Sequence, residues 1–176
     1  MNLVDKITAL NGMLDEADIP HAFGGALALA WCTQRARATI DIDLNVFIEV
    51  DDRHRFFDSL PGAVAVTDAD ERAIVADGQT RLWWDGTPLD VFFNTTDFHG
   101  QLARRARIES FGGADVPFLA CRDLAVFKAF FNRTKDWADL EEMAAADALD
   151  VESVLGVLVR YIGGDDERVE RMRSLG

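Results

Sequence analysis

The run RATIDIDLNVFIEV, residues 37–50, limits the folds open to this chain more than any other stretch. Leu44 to Val50 is largely apolar, which suits a strand buried on both faces, an interior strand of a sheet covered by helices. Two aspartates, Asp41 and Asp43, stand where that run begins. Residues two apart on a strand project from the same face, so their carboxylates are neighbours. Two ionised carboxylates at that spacing repel one another, and Mg²⁺ between them relieves the repulsion. A pair that simply faces solvent at an exposed strand start would be tolerated too, so the pair alone does not decide.

The rest of the chain supplies a frame for such a strand. Leu3, Val4, Ile7, Leu10 and Leu14 recur at helical spacing, predicting a helix that ends near Asp18. IPHAF then reads as a short strand, Gly24-Gly25 as a turn, and ALALAWC as a helix. DDRHRFFDSL reads as a helix capped by Asp51 or Asp52, AVAV as a short strand, and DADERAIVAD as a polar helix or loop. TRLWW and LDVFF flank Asp85-Gly86, a strong hairpin signal. A short helix in DFHGQLARRA and short strands in RIESF and VPFLA follow. After Ala120 the pattern changes to three successive helices and a solvated helical tail, DDERVERMRSLG. These elements predict a mixed α+β core over residues 1–120, a mixed sheet flanked by helices, and a C-terminal helical segment, 121–176, packed on it.

Composition narrows the function classes. The net charge of −13 repels nucleic acid in general, although Arg35 and Arg37, then Arg104, Arg105 and Arg107, then Lys128, Arg133 and Lys135 leave room for a local basic groove. No apolar run approaches the roughly 18 residues of a membrane span. The N-terminus reads as an amphipathic helix rather than a secretory leader, so the expected location is the cytoplasm. The two cysteines, Cys32 and Cys121, are expected to be reduced thiols. His21, His54 and His99 form no zinc-binding pattern.

Two further features give the aspartate pair a context. The Gly24-Gly25 turn offers backbone amides and a helix N-terminus to an anion such as a triphosphate. Asp90, flanked by Leu89, Val91, Phe92 and Phe93, is expected to be an isolated carboxylate on a central strand, a costly arrangement unless it has a use. Three carboxylates from adjacent strands beside a phosphate-binding turn describe a metal-dependent phosphoryl-transfer site.

GGALALAWCTQRARATIDIDLNVF followed by LDVFF resembles the nucleotidyltransferase superfamily with the DNA polymerase β-like fold. The wording RATIDIDL is most similar to the AbiEii-type nucleotidyltransferases of abortive-infection and type IV toxin–antitoxin systems. DLAVFKAFFNRTKDWADLEEM resembles that group's lysine helix and Asp-x-x-Asp helix start, so the likeness covers roughly residues 20–145. The resemblance implies a transfer of a nucleoside monophosphate from an NTP to an acceptor hydroxyl on a tRNA end, a protein or a small molecule. Gly24 and Gly25 would position the triphosphate, and Asp41, Asp43 and Asp90 would hold Mg²⁺ or Mn²⁺, with Asp90 alternatively the general base. Lys128 and Asp136 match nucleotide-binding positions. Lys128 could instead be a solvent-facing lysine beside Leu124, Phe127 and Phe131, while Asp136 and Asp139 could be a helix cap and a first-turn acid. Arg37 and Thr39 would brace the turn before the metal strand, and Arg37 could also reach a phosphate. A cognate antitoxin protein is an implied partner; a membrane is not.

Two other functions fit the same residues. A non-catalytic module of this fold would act as an antitoxin or binding partner, although the retained acids weigh against it. A Mg²⁺-dependent phosphohydrolase would release inorganic phosphate without an acceptor.

Overall fold

A computed structural model describes residues 1–176. The chain folds as two compact units, one of residues 1–25 and 38–119, the other of residues 26–37 and 120–176. The first holds a six-stranded mixed sheet. Its strands are β1 (His21–Phe23), β2 (Ile42–Glu49), β3 (Gln79–Trp84), β4 (Thr87–Asn94), β5 (Arg107–Phe111) and β6 (Ala114–Phe118), in the order β3-β4-β2-β1-β6-β5. β2 runs parallel to β4 and β1 parallel to β6, and the remaining pairs are antiparallel.

β2 is interior, as its apolar run requires: every residue from Leu44 to Ile48 is buried. Period-two alternation puts Ile42, Leu44 and Val46 on one face with Leu89, Val91 and Phe93 of β4, and all six are fully buried. The same core contains Ile7, Leu10 and Leu14 of α1 (Leu3–Glu16), Phe56 of α3 (Arg53–Ser59) and Ile74 of α4 (Asp68–Asp77). Asp43 and Asp90 point from the opposite face, away from this core. A short helix, α5 (Asp97–Gly100), follows β4.

The β3–β4 hairpin turns on Asp85-Gly86, both with positive φ (44° and 77°), the type I′ geometry that asparagine, aspartate and glycine permit. AVAV departs from expectation. Only Val64 pairs, in an isolated bridge to Trp84, because Pro61-Gly62 leaves too little chain for a strand. Asp52 occupies the N-cap of α3 but makes no side-chain cap.

The second unit contains α2 (Gly25–Thr33), whose first residue belongs to the other unit, with α6 (Cys121–Phe131), α7 (Thr134–Ala145), α8 (Val151–Ile162) and α9 (Glu167–Arg173). Leu124, Ala125, Val126, Trp137, Leu140, Met143, Val154 and Leu158 are its core. The tail is not a solvated end: Val169 and Met172 of α9 are completely buried. Cys32 of α2 and Cys121 of α6 form a disulfide rather than two thiols, their Cα atoms 5.5 Å apart, within the usual bridging distance. No helix is long and apolar enough to cross a membrane.

Candidate active site

Two neighbouring strands bring the acidic residues together, and a third sets an arginine beside them. β2 and β4 pair with Asp43 opposite Asp90, and β4 and β3 pair with Asp90 opposite Arg81. Asp43, Asp90 and Arg81 therefore form one row on one face of the sheet. Asp41 precedes β2 by one residue and lies two positions from Asp43. Thr39 braces it: its hydroxyl donates to the Asp41 carbonyl and accepts from the Asp41 amide, each at 3.2 Å.

The Gly24-Gly25 turn is built around Asp43. The Gly24 amide donates to the Asp43 carbonyl at 2.8 Å, which ties the turn to β2. Gly25 has φ +54°, and a Cβ there would fall onto the Asp43 carboxylate. The second glycine is thus required by the approach of the turn to a carboxylate as well as by its backbone conformation.

Asp90 is not the isolated buried charge that its apolar neighbours suggest. Its side chain is 20% exposed, and Arg81 grips it bidentately, Nε to Oδ1 at 2.6 Å and Nη2 to Oδ2 at 2.7 Å. Arg81 Nη2 also lies 3.8 Å from an Asp41 carboxylate oxygen. The hydrogen bonding of Arg81 to Asp90, which accepts from it, is the main cause that raises the Arg81 guanidinium pKa further, with the charges of Asp90, Asp41 and Asp43 adding to it. One arginine thus feels all three acids. Sequence reading missed Arg81, yet the signal was present. A two-residue turn at Asp85-Gly86 fixes the hairpin register, and counting back from Trp84–Thr87 puts Arg81 opposite Asp90.

The donor chemistry of Asp41, Asp43 and Asp90 suits a divalent cation such as Mg²⁺ or Mn²⁺: carboxylate oxygens on one face, next to a turn and a helix start. The side chains are not arranged as a closed ligand set, since no group of three His, Cys, Asp or Glu converges as a metal site. Both Asp90 oxygens are committed to Arg81.

The remaining predicted residues form a cluster inside the helical unit. Lys128 does not face solvent: it is 6% exposed, and its ammonium lies 2.6 Å from Asp139 and 3.9 Å from Asp136. Asp139, expected as a first-turn acid, also receives Arg37 Nη1 at 2.5 Å, and Arg37 reaches Glu142 at 3.4 Å. Asp136, 1% exposed, accepts the Arg133 amide at the start of α7 and holds the Arg133 guanidinium at 2.6 Å. Lys128, Asp136, Asp139 and Arg37 are thereby parts of a largely buried ion-pair network.

No protein-family model matches the chain, and no curated protein matches it in sequence. Among solved structures, the complex of ANT(2″)-Ia with adenylyl-2″-tobramycin is similar, at 16% identity, with 97% of both chains covered and a TM-score of 0.60. The solution structure of the antibiotic-resistance factor ANT(2″)-Ia aligns over 97% of this chain and 89% of that one, at 16% identity and a TM-score of 0.57. An antigenic nucleotidyltransferase-like protein from Paracoccidioides brasiliensis aligns over 98% of this chain and 85% of its own, at 11% identity and a TM-score of 0.52. Six strands in mixed order flanked by helices, matched along nearly the whole chain by these structures, give the protein the nucleotidyltransferase fold.

Proposed function

We propose that the protein is a nucleotidyltransferase that moves a nucleoside monophosphate from an NTP to an acceptor hydroxyl. The observation that carries the reading is the register of Asp43 and Asp90 on neighbouring parallel strands, with Asp41 beside them and Gly25 packed against Asp43. A Mg²⁺ or Mn²⁺ ion held by Asp41 and Asp43, with Asp90 completing the set, would neutralise charge on the triphosphate. The acceptor oxygen bonds to the α-phosphorus, the bond from that phosphorus to the departing pyrophosphate breaks, and the hydroxyl proton passes to a carboxylate. The Gly24-Gly25 turn and the start of α2 position the phosphates.

The net charge of −13 favours a cationic small molecule or a protein as acceptor over a long RNA. The ANT(2″)-Ia complex, whose ligand is adenylyl-2″-tobramycin, makes ATP and an amino-sugar hydroxyl the first pair to try. An NTP substrate is consistent with work in the cytoplasm. The AbiEii-like wording around Asp41 adds RNA ends and proteins, the acceptors of a toxin with a cognate antitoxin.

Each α-32P-labelled NTP, incubated with Mg²⁺ and in turn an aminoglycoside panel, total RNA and cell lysate, tests the reading. Label should pass to one acceptor class with release of pyrophosphate, and Asp43→Asn should abolish the transfer. Release of inorganic phosphate without an acceptor would assign a phosphohydrolase instead. No transfer with any NTP and acceptor would leave a binding module of this fold.

A further inference from the structure

We propose that Arg81 is the built-in counter-ion of the carboxylate face and competes with the divalent cation for Asp90. The inference rests on reading Asp41, Asp43 and Asp90 as metal ligands. Both Asp90 oxygens accept from Arg81, at 2.6 and 2.7 Å, in the planar fork that matches guanidinium to carboxylate. A carboxylate gripped through both oxygens is a poor ligand in its own plane, and a guanidinium and a dication repel at such range. The second reach of Arg81, 3.8 Å to Asp41, and the pairing of Asp90 with Asp43 across the strands place its charge where it offsets repulsion among the three acids.

Two consequences follow for the order of binding. A metal ion alone must expel Arg81 from Asp90 without offering it another anion. A metal–nucleotide complex brings phosphates to which the released guanidinium can pair. Metal and nucleotide therefore bind with positive coupling, and the free metal binds weakly. Arg81 is a positioning residue in this scheme: it sets when Asp90 is available. Its half-exposed place on an edge strand also makes it replaceable without opening the core.

Mn²⁺ binding without nucleotide, measured by titration calorimetry and by the loss of the free-ion electron paramagnetic resonance signal, tests the proposal. The proteins compared are wild type, Arg81→Gln, Arg81→Lys and the double variant Arg81→Gln/Asp43→Asn, each checked by its melting temperature. Arg81→Gln should bind Mn²⁺ about tenfold tighter than wild type, within the usual range for two ligands coupled through one site. Arg81→Lys, with a point charge in place of the fork, should restore much of the weak affinity. A purely structural Arg81 would lower stability without raising metal affinity. Equal or weaker Mn²⁺ binding by Arg81→Gln, abolished in the double variant, overturns the counter-ion role and leaves the metal site standing. Undiminished binding by the double variant places the metal elsewhere and overturns both.

Discussion

Carboxylates set the surroundings of both Gly25 and Lys128, Asp43 beside the one and Asp136 and Asp139 around the other. A glycine before a helix suggests room for a phosphate, but at Gly25 the neighbour a side chain would strike is the Asp43 carboxylate. Gly25→Ala should cost about 1–3 kcal/mol, from the left-handed backbone and the overlap together. The two parts separate in a double-mutant cycle followed by urea denaturation: the cost should shrink when Asp43 is also alanine. Lys128 is legible in the sequence as a lysine on an apolar helix, yet its burial is not, because its partners Asp136 and Asp139 are eight and eleven residues away. Lys128→Met leaves two buried carboxylates short of a cation. Arg37 and Arg133 relieve part of that, so a loss of about 3 kcal/mol is expected, at the low end for a broken buried pair. Adding Asp139→Asn should recover much of it. Unchanged stability with lost nucleotide affinity would instead make Lys128 a phosphate ligand.

At the scale of elements, most of the architecture could be read from periodicity. β2 declared itself by its apolar run, the β3–β4 hairpin by Asp85-Gly86, and α6 to α8 by their helical spacing. AVAV misled because its four apolar residues satisfy a strand pattern but are confined between the Pro61-Gly62 turn and the Thr67 cap of α4, so that only Val64 bridges to the edge strand β3. The tail misled in the other direction. Its charges hide Val169 and Met172, spaced three apart on the buried side of α9. α5, the short helix after β4, carries a pH dependence no pattern announces. Burial lowers the His99 pKa to about 4, from an ordinary 6.5. Its folded value is below its unfolded one, so the unfolded chain takes up the proton first. Stability is therefore complete above about pH 6.5 and declines as pH falls toward 4, by up to about 3 kcal/mol from this residue. Urea denaturation across that window, compared with His99→Gln, should show the slope flatten in the variant.

Across the whole molecule, the property furthest from the sequence reading is covalent. Cys32 and Cys121 belong to no recognisable spacing because the chain separates them by 89 residues, and only the fold brings α2 beside the start of α6. The covalent loop so closed takes in every strand from β2 to β6. A loop of that length restricts the unfolded ensemble strongly, and the chain-entropy relation gives about 4–5 kcal/mol of stabilisation. For a protein with typical total stability of about 5–15 kcal/mol, that is a large share. Reducing compartments keep such pairs open, so there the stability of the dithiol form decides whether the chain remains folded. Without reductant, Ellman's reagent should find no thiol even in the denatured protein, and two after reduction. The reduced protein, or Cys32→Ser/Cys121→Ser, should melt well below the oxidised form and unfold at lower urea concentration. If reduction moves neither midpoint, the loop is already ordered without the bond, and the ion pairs and apolar core carry the fold alone.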